Sequence, residues 1–332
     1  MSATYDVLGI GNAIVDVLAR AEDSDLAAAG LHKGAMQLVD EAKAAEIYAA
    51  MGPTTVVSGG SAANTMAGLA SLGRKAAFVG KVKSDAPGQE FAHDIRKAGV
   101  AFDTAAAESG AATARCLILV TPDGQRTMNT FLGACQALGP RDIDEAAVAA
   151  AKVLYMEGYL WDPPGAKEAF LKAAKVSRAK GRKVALSLSD SFCVDRYRDE
   201  FLSLIRDGVV DIVFANESEL HSLYQTADFD TALAALRAEK SLLGVVTRSE
   251  KGCVVASAAE VVSAPAFPVE AVVDTTGAGD LFAAGFLAGY TQDLSYGKCA
   301  ALGALAAAEV ISHFGARPQK DLLQLAKDNG LL

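Results

Sequence analysis

The sequence has 332 residues, 51% hydrophobic and 21% charged, a globular composition with enough apolar material for a large core. Its formal net charge of -9 repels nucleic acid and anionic lipid at long range, so neither is an expected partner, and a bound nucleotide would need local donors and a metal. The five cysteines form no Cys-x-x-Cys, residues 1–6 lack the features of a secretory signal, and no apolar stretch reaches the length of a membrane span, which points to reduced thiols in a cytoplasmic protein.

The first expected strand is Tyr5–Ile10, an apolar run. The glycines after it, Gly9-Ile10-Gly11-Asn12-Ala13-Ile14, lack the third glycine of a dinucleotide fingerprint. A short strand at 54–57 leads into Ser58-Gly59-Gly60-Ser61-Ala62-Ala63-Asn64. Two adjacent glycines where a helix opens admit a ligand to the backbone, and Asn64, one turn in, would reach the same ligand. A tight turn into a closely packed helix explains the glycines equally well.

Further apolar runs fall at 76–79, 153–156, 184–188, 211–214 and 243–247. Stretches of helical period such as 166–180, 196–206 and 231–240 lie between most of them. Strands apolar on both faces, alternating with helices, predict a mainly parallel sheet between helical layers. Two places break the rhythm. Residues 115–120 and 126–131 flank Thr121-Pro122-Asp123-Gly124-Gln125, a good hairpin turn, and 252–256 with 260–263 form a second hairpin. The chain therefore reads as a single α/β domain, 1–332, carrying a small antiparallel β lid from about 13–50 and 100–135.

Near the carboxyl end, Asp274-Thr275-Thr276-Gly277-Ala278-Gly279-Asp280 leads into an apolar helix. The N–H groups of Gly277, Ala278 and Gly279 at a helix start would form an anion nest. Asp280 would repel that anion, unless it accepts a proton from a hydroxyl attacking a phosphoryl group. Helix capping accounts for the aspartate but not for the small residues before it. No Gly-x-x-x-x-Gly-Lys-Ser/Thr occurs, which excludes a P-loop enzyme. The four histidines, His32, His93, His221 and His313, are isolated.

The two glycine-rich segments, in this order and separation, resemble the signature motifs of the ribokinase-like (PfkB-type) family of carbohydrate and nucleoside kinases. That resemblance implies the three-layer α/β/α ribokinase-like fold and ATP as phosphoryl donor. It makes Asp280 the base, Gly277, Ala278 and Gly279 the anion hole, and Gly59, Gly60 and Asn64 contacts to the acceptor. Asn216-Glu217-Ser218-Glu219 matches the family's Asn-x-x-Glu motif, implying magnesium positioned by Asn216 and Glu219 through water, although a capped helix is the plain reading. Around Thr247 and Gly252 the pattern resembles the nucleotide-binding Thr-x-Gly-x-x-Gly, with Ser249 replacing its first glycine. The segment His313-Phe314-Gly315-Ala316-Arg317-Pro318 matches the loop near the adenine and a monovalent-cation site, with potassium on the carbonyls of Asp274 and Thr276.

Three local segments resemble the adenosine kinase branch: residues 11–16, 126–134 and 186–192. They imply that Asn12 and Asp16 hold the ribose, since one carboxylate accepts from two vicinal hydroxyls. Met128, Phe131, Leu38 and Phe192 would then wall a purine slot. Arg126 would close over the phosphates, or else form a cross-strand ion pair in the hairpin. The resulting expectation is transfer from ATP to a nucleoside 5′-hydroxyl, with a free-sugar kinase and a catalytically silent relative as alternatives, in a monomer or homodimer.

Overall fold

The computed structural model describes residues 4–239 and 242–332. The expectations for the first three residues and for Lys240, at the end of the 231–240 helical stretch, lie outside them. The strands are β1 (Tyr5–Ile10), β2 (Ile14–Arg20), β3 (Met36–Leu38), β4 (Thr55–Gly59), β5 (Ala76–Val79), β6 (Ala114–Val120) and β7 (Arg126–Phe131), followed by β8 (Ala151–Glu157), β9 (Lys183–Ser187), β10 (Ile212–Asn216), β11 (Leu243–Thr247), β12 (Cys253–Ala256) and β13 (Val261–Ala264).

Eight of them form one sheet in the order β13-β12-β11-β10-β9-β8-β1-β5. It is parallel from β5 to β11, and the hairpin β12–β13 adds two antiparallel strands at one edge. The strands are apolar on both faces because each face carries a separate helical layer. Val153 and Tyr155, with Ile212 and Phe214, enter one core with the helices Ser61–Ser71, Ala278–Tyr290 and Tyr296–Ile311. Their neighbours Leu154, Met156, Val213 and Ala215 enter the other, with Pro164–Ala179 and Ser191–Arg206. This period-two division between two buried faces is the signature of a doubly covered sheet.

A second sheet of five strands has the order β3-β7-β6-β2-β4. Its pairs β2–β4 and β6–β7 are antiparallel, whereas β2–β6 and β3–β7 are parallel. Strand β4 lies outside the two stretches expected to supply this sheet. A strand at 54–57 looks the same in either sheet, and pairing with β2 decides its place. One face is covered by the helix Glu41–Ala50; the other overhangs the carboxyl ends of the parallel strands. In open α/β sheets that edge is where ligands bind.

Candidate active site

A cavity of ≈ 1550 Å³ runs along that edge, between the two sheets. Its floor is made by residues at the ends of β1, β8, β9, β10 and β11: Asn12, Glu157, Ser187, Asn216 and Thr247. Asp280 stands at its centre, in the first turn of the helix Ala278–Tyr290. One carboxylate oxygen accepts from Ser61 Oγ at 2.6 Å and the other from Asn64 Nδ2 at 3.0 Å. Each oxygen keeps a lone pair for a further donor. Burial pushes the Asp280 carboxyl above its ordinary range, against the Ser61 and Asn64 bonds and the positive charge of Arg317. Asn64 is itself buried and its Oδ1 has no partner, so it is free to accept from a ligand hydroxyl.

Gly277 caps this helix with φ +79°, a left-handed conformation that favours glycine. Its N–H and that of Gly279 make no hydrogen bond among the described residues, but Ala278 N–H is turned to Thr275 O at 3.2 Å. The anion nest therefore has two open donors where three were expected. Nothing lies within 4 Å of where a Gly279 side chain would begin, leaving an open approach to the helix N-terminus.

At the other end of the acceptor site, Asp16 on β2 faces the cavity, half-buried. Burial raises its carboxyl to about 6, opposed by the charges of Arg317 and Arg126 and reinforced by that of Asp280. The glycines beside it act differently from each other. A Cβ on Gly59 would lie 2.3 Å from Asp16 Oδ2, whereas one on Gly60, at φ +96°, would lie 2.1 Å from the main-chain oxygen of Asn12. Gly60 lines the cavity and Gly59 does not. Gly59 makes room for the Asp16 carboxylate.

The apolar slot also differs from expectation at one residue. Met128, Leu38 and Phe192 line the cavity, joined by Met36, Ile14 and Ile118. Phe131 does not: it is buried in the core on the opposite face of β7. Side chains alternate along a strand, so Arg126, Met128 and Thr130 share one face and Phe131 belongs to the other.

Arg126 is held away from the cavity. Its Nη1 donates to Asp274 Oδ2 at 2.5 Å and to Thr276 Oγ1 at 2.6 Å. Its partners are thus on the loop before the helix Ala278–Tyr290 and not across the hairpin. Asp274 is a buried crosspiece, also accepting from Thr276 N and Gly315 N. Asp274 acts here through its side chain and does not line the cavity, whereas Thr276 does.

Asn216 and Glu219 line the nucleotide end but are engaged with each other. Asn216 Nδ2 and N donate to the two Glu219 oxygens at 2.6 and 3.0 Å, and Glu219 N returns a bond to Asn216 Oδ1, a capping box. Burial raises Glu219 to about 7. Thr247 and Gly252 both line the cavity, and Gly252 (φ +85°) has the main-chain oxygen of Ala264 where a Cβ would stand. Ser249 adopts φ +51°, so it occupies the left-handed position its glycine counterpart would take.

Three residues that the sequence did not single out complete the site. Ser61 is a direct partner of Asp280. Glu157, 1% exposed, accepts from Asn12 Nδ2 at 2.6 Å, Asn12 N at 3.3 Å and Ala62 N at 2.8 Å, and burial raises it to about 7. Arg317 lies behind the Gly59–Gly60 turn. A glutamate closing an apolar strand was the visible signal for Glu157; Arg317 lies within the segment 313–318, but nothing local links it to Ser58.

The pfkB family carbohydrate kinase pattern matches residues 35–322. The crystal structure of adenosine kinase from Sinorhizobium meliloti superposes with a TM-score of 0.91 at 54% identity, covering 98% of this chain and 100% of that one. A probable sugar kinase from Rhizobium etli gives 0.93 at 52% identity, covering 99% and 100%. An ATP-dependent ribose-1-phosphate kinase from Halopiger xanaduensis is 32% identical over 243 residues, 71% of this chain and 74% of that protein.

Proposed function

The chain belongs to the pfkB family of carbohydrate kinases, and we propose that it is an adenosine kinase, transferring the γ-phosphoryl group of ATP to the ribose 5′-hydroxyl. One observation carries this reading: a single cavity holds the diol-sized carboxylate Asp16, the doubly supported Asp280 and an apolar slot of Met128, Leu38, Ile118 and Phe192. A purine buried against those side chains gains roughly 25 cal/mol per Å² of apolar area, whereas a free sugar leaves them wet. The likeness to the Sinorhizobium meliloti adenosine kinase supports the same acceptor.

In the reaction Asp280 accepts the 5′-hydroxyl proton as the oxygen forms its bond to the γ-phosphorus. The bond from that phosphorus to the β–γ bridging oxygen breaks and ADP departs. Gly277 and Gly279 N–H groups stabilise charge on the transferred group. Asp16 and Asn64 Oδ1 fix the ribose, and the smaller sheet acts as a lid that excludes water.

The described residues contain no cluster of three side chains suited to a metal ion, and both Glu219 oxygens already accept bonds. The site fits a hydrated magnesium ion carried with the nucleotide, for which Asn216 and Glu219 orient water; bound there, magnesium supplies positive charge to the phosphates. The main-chain oxygens of Asp274 and Thr276 accept no hydrogen bond among the described residues, which suits them to potassium.

Charge argues against an anionic acceptor. Asp16, Glu157, Asp162, Asp190 and Asp195 all line the cavity, and Arg196 pairs with Asp162. A sugar phosphate there would meet several carboxylates. The test compares kcat/KM for adenosine, ribose, fructose and ribose 1-phosphate with ATP and magnesium. Adenosine is expected to lead; a free sugar ahead by about tenfold or more would overturn the nucleoside reading and leave the kinase standing.

A further inference from the structure

Arg317, half-buried, is the guanidinium that holds the turn proposed to bind the acceptor. Its Nε and Nη2 donate to Ser58 O at 3.0 and 2.8 Å, Nη2 also reaches Ser58 Oγ at 2.8 Å, and Nη1 donates to Ala63 O at 2.8 Å. These acceptors bracket the turn from behind. Between them stand Gly59, which admits the Asp16 carboxylate, and Ser61, which donates to Asp280; Asn64 follows directly. Ser58 is anchored on its other side by Asp94, whose Oδ2 accepts from Ser58 N and Oγ at 2.8 and 2.6 Å.

All of these hydrogen bonds go to neutral oxygens, so the Arg317 charge is left to be balanced at a distance. Burial lowers Arg317 to about 10, and the carboxylates of Asp94, Asp16 and Asp280 oppose that fall. A planar fork that grips two carbonyls and carries a permanent charge is a task for arginine.

We propose that Arg317 is a positioning residue for phosphoryl transfer: from behind the Ser58–Ala63 turn it fixes the geometry of Ser61 and Asn64 on Asp280 and sets a positive charge behind that turn. This rests on the reading of Asp280 as the base. The charged and titratable groups around the pair come from several elements: Asp16 of β2, Arg126 of β7, Tyr155 and Glu157 of β8, and Asp94 of the helix Ala86–Lys97. Of these Arg126 is the other cation, and it is committed to Asp274.

The test is the pH profile of kcat/KM for the acceptor in Arg317→Gln and Arg317→Lys, with melting temperature and KM for ATP as controls. Losing a cation raises a neighbouring carboxyl, so the acid limb of Arg317→Gln should move to higher pH by about one unit. Its kcat/KM near neutrality should fall about tenfold or more, with KM for ATP within about threefold of the parent. Arg317→Lys keeps the charge without the fork, so its acid limb should stay while kcat falls at least about threefold. An unmoved limb in a folded Arg317→Gln overturns the proposal, as does an equal shift in both variants. If Arg317→Gln does not fold, Arg317→Lys decides alone, and parental kcat in it overturns the proposal. Asp280→Asn, measured beside them, separates the two ideas: an active Asp280→Asn sinks the base assignment, whereas an inactive one with an unmoved Arg317→Gln limb sinks only the role of Arg317.

Discussion

Replacing Gly59 with alanine tests how the acceptor carboxylate is seated. Gly59 ends β4 with no positive φ, so its backbone accepts alanine, and the three nearest atoms the methyl meets all belong to Asp16. The new methyl would lie 2.3, 2.4 and 2.6 Å from Oδ2, Cγ and Oδ1. Restoring ordinary contact requires the carboxylate to retreat by about 1 Å. Two charge-assisted bonds to the ribose diol are worth about 1.5–3 kcal/mol each, and partial loss of both costs about 2–4 kcal/mol. At 1.36 kcal/mol per decade that is about 30- to 900-fold in kcat/KM for adenosine. KM for ATP should hold within about twofold and stability within about 1 kcal/mol. Gly60→Ala is the contrast, because its methyl meets main chain 2.1 Å away at φ +96°, so it should lower the melting temperature as well. The decisive measurement is a double-mutant cycle with Asp16→Ala. If Gly59→Ala costs as much without the Asp16 carboxylate as with it, Gly59 touches the acceptor directly and the seating argument is wrong.

Asp16→Ala should itself raise KM for adenosine by about tenfold or more while sparing ATP, and 2′-deoxyadenosine should be a poor substrate of the parent enzyme; equal effects on both substrates would move Asp16 out of the ribose site. Glu219→Gln should shift the magnesium dependence of the rate to higher concentration, and an unchanged curve would return Asn216 and Glu219 to helix capping alone. The stability of the ligand-free protein should fall as pH rises from about 5 to 8. Asp16, Glu157 and Glu219 are raised to about 6, 7 and 7, so across that window the folded state holds protons that the unfolded chain has released. Their ionisation therefore favours unfolding, and a melting temperature that rises steadily over this range would contradict the burial of these carboxyls.

The parts of the fold legible in the sequence were those set by local pattern. Apolar runs with helical stretches between them gave the parallel strands, because burial on both faces leaves no polar alternation. Thr121–Gln125 gave the β6–β7 hairpin through its turn residues. The nest was legible for a similar reason, as small residues before a helix mark a local conformation. Its third donor was not, since the turn to Thr275 O depends on loop geometry. Phe131 was misplaced although period-two alternation already separates it from Met128. The sheet membership of β4, the bonds from Glu157 to Asn12 across 145 residues and the clamp of Arg317 on Ser58 across 259 residues depend on contacts that no local window contains. Ser61 lay inside a recognised motif, but its partner Asp280 is 219 residues away.

Charge organises the cavity into two unlike ends, and Asp280 stands where they meet. On the proposed reading the acceptor end is acidic, with half-buried Asp16 and buried Glu157 desolvated at energetic cost, a cost that a neutral polyol would recover by donating hydroxyl bonds and a phosphorylated one would increase. The donor end offers the reverse: the free N–H groups of Gly277 and Gly279 at a helix N-terminus, with no carboxylate of Asp280 left unsupported, because Ser61 and Asn64 occupy both of its oxygens. Under the proposed assignment the 5′-phosphate of the product would form beside Asp280. Once Asp280 has released the proton it took up, its restored charge would repel the new phosphate and favour product departure. On this reading the acidic groups that would disfavour a phosphorylated acceptor would also disfavour retention of the phosphorylated product.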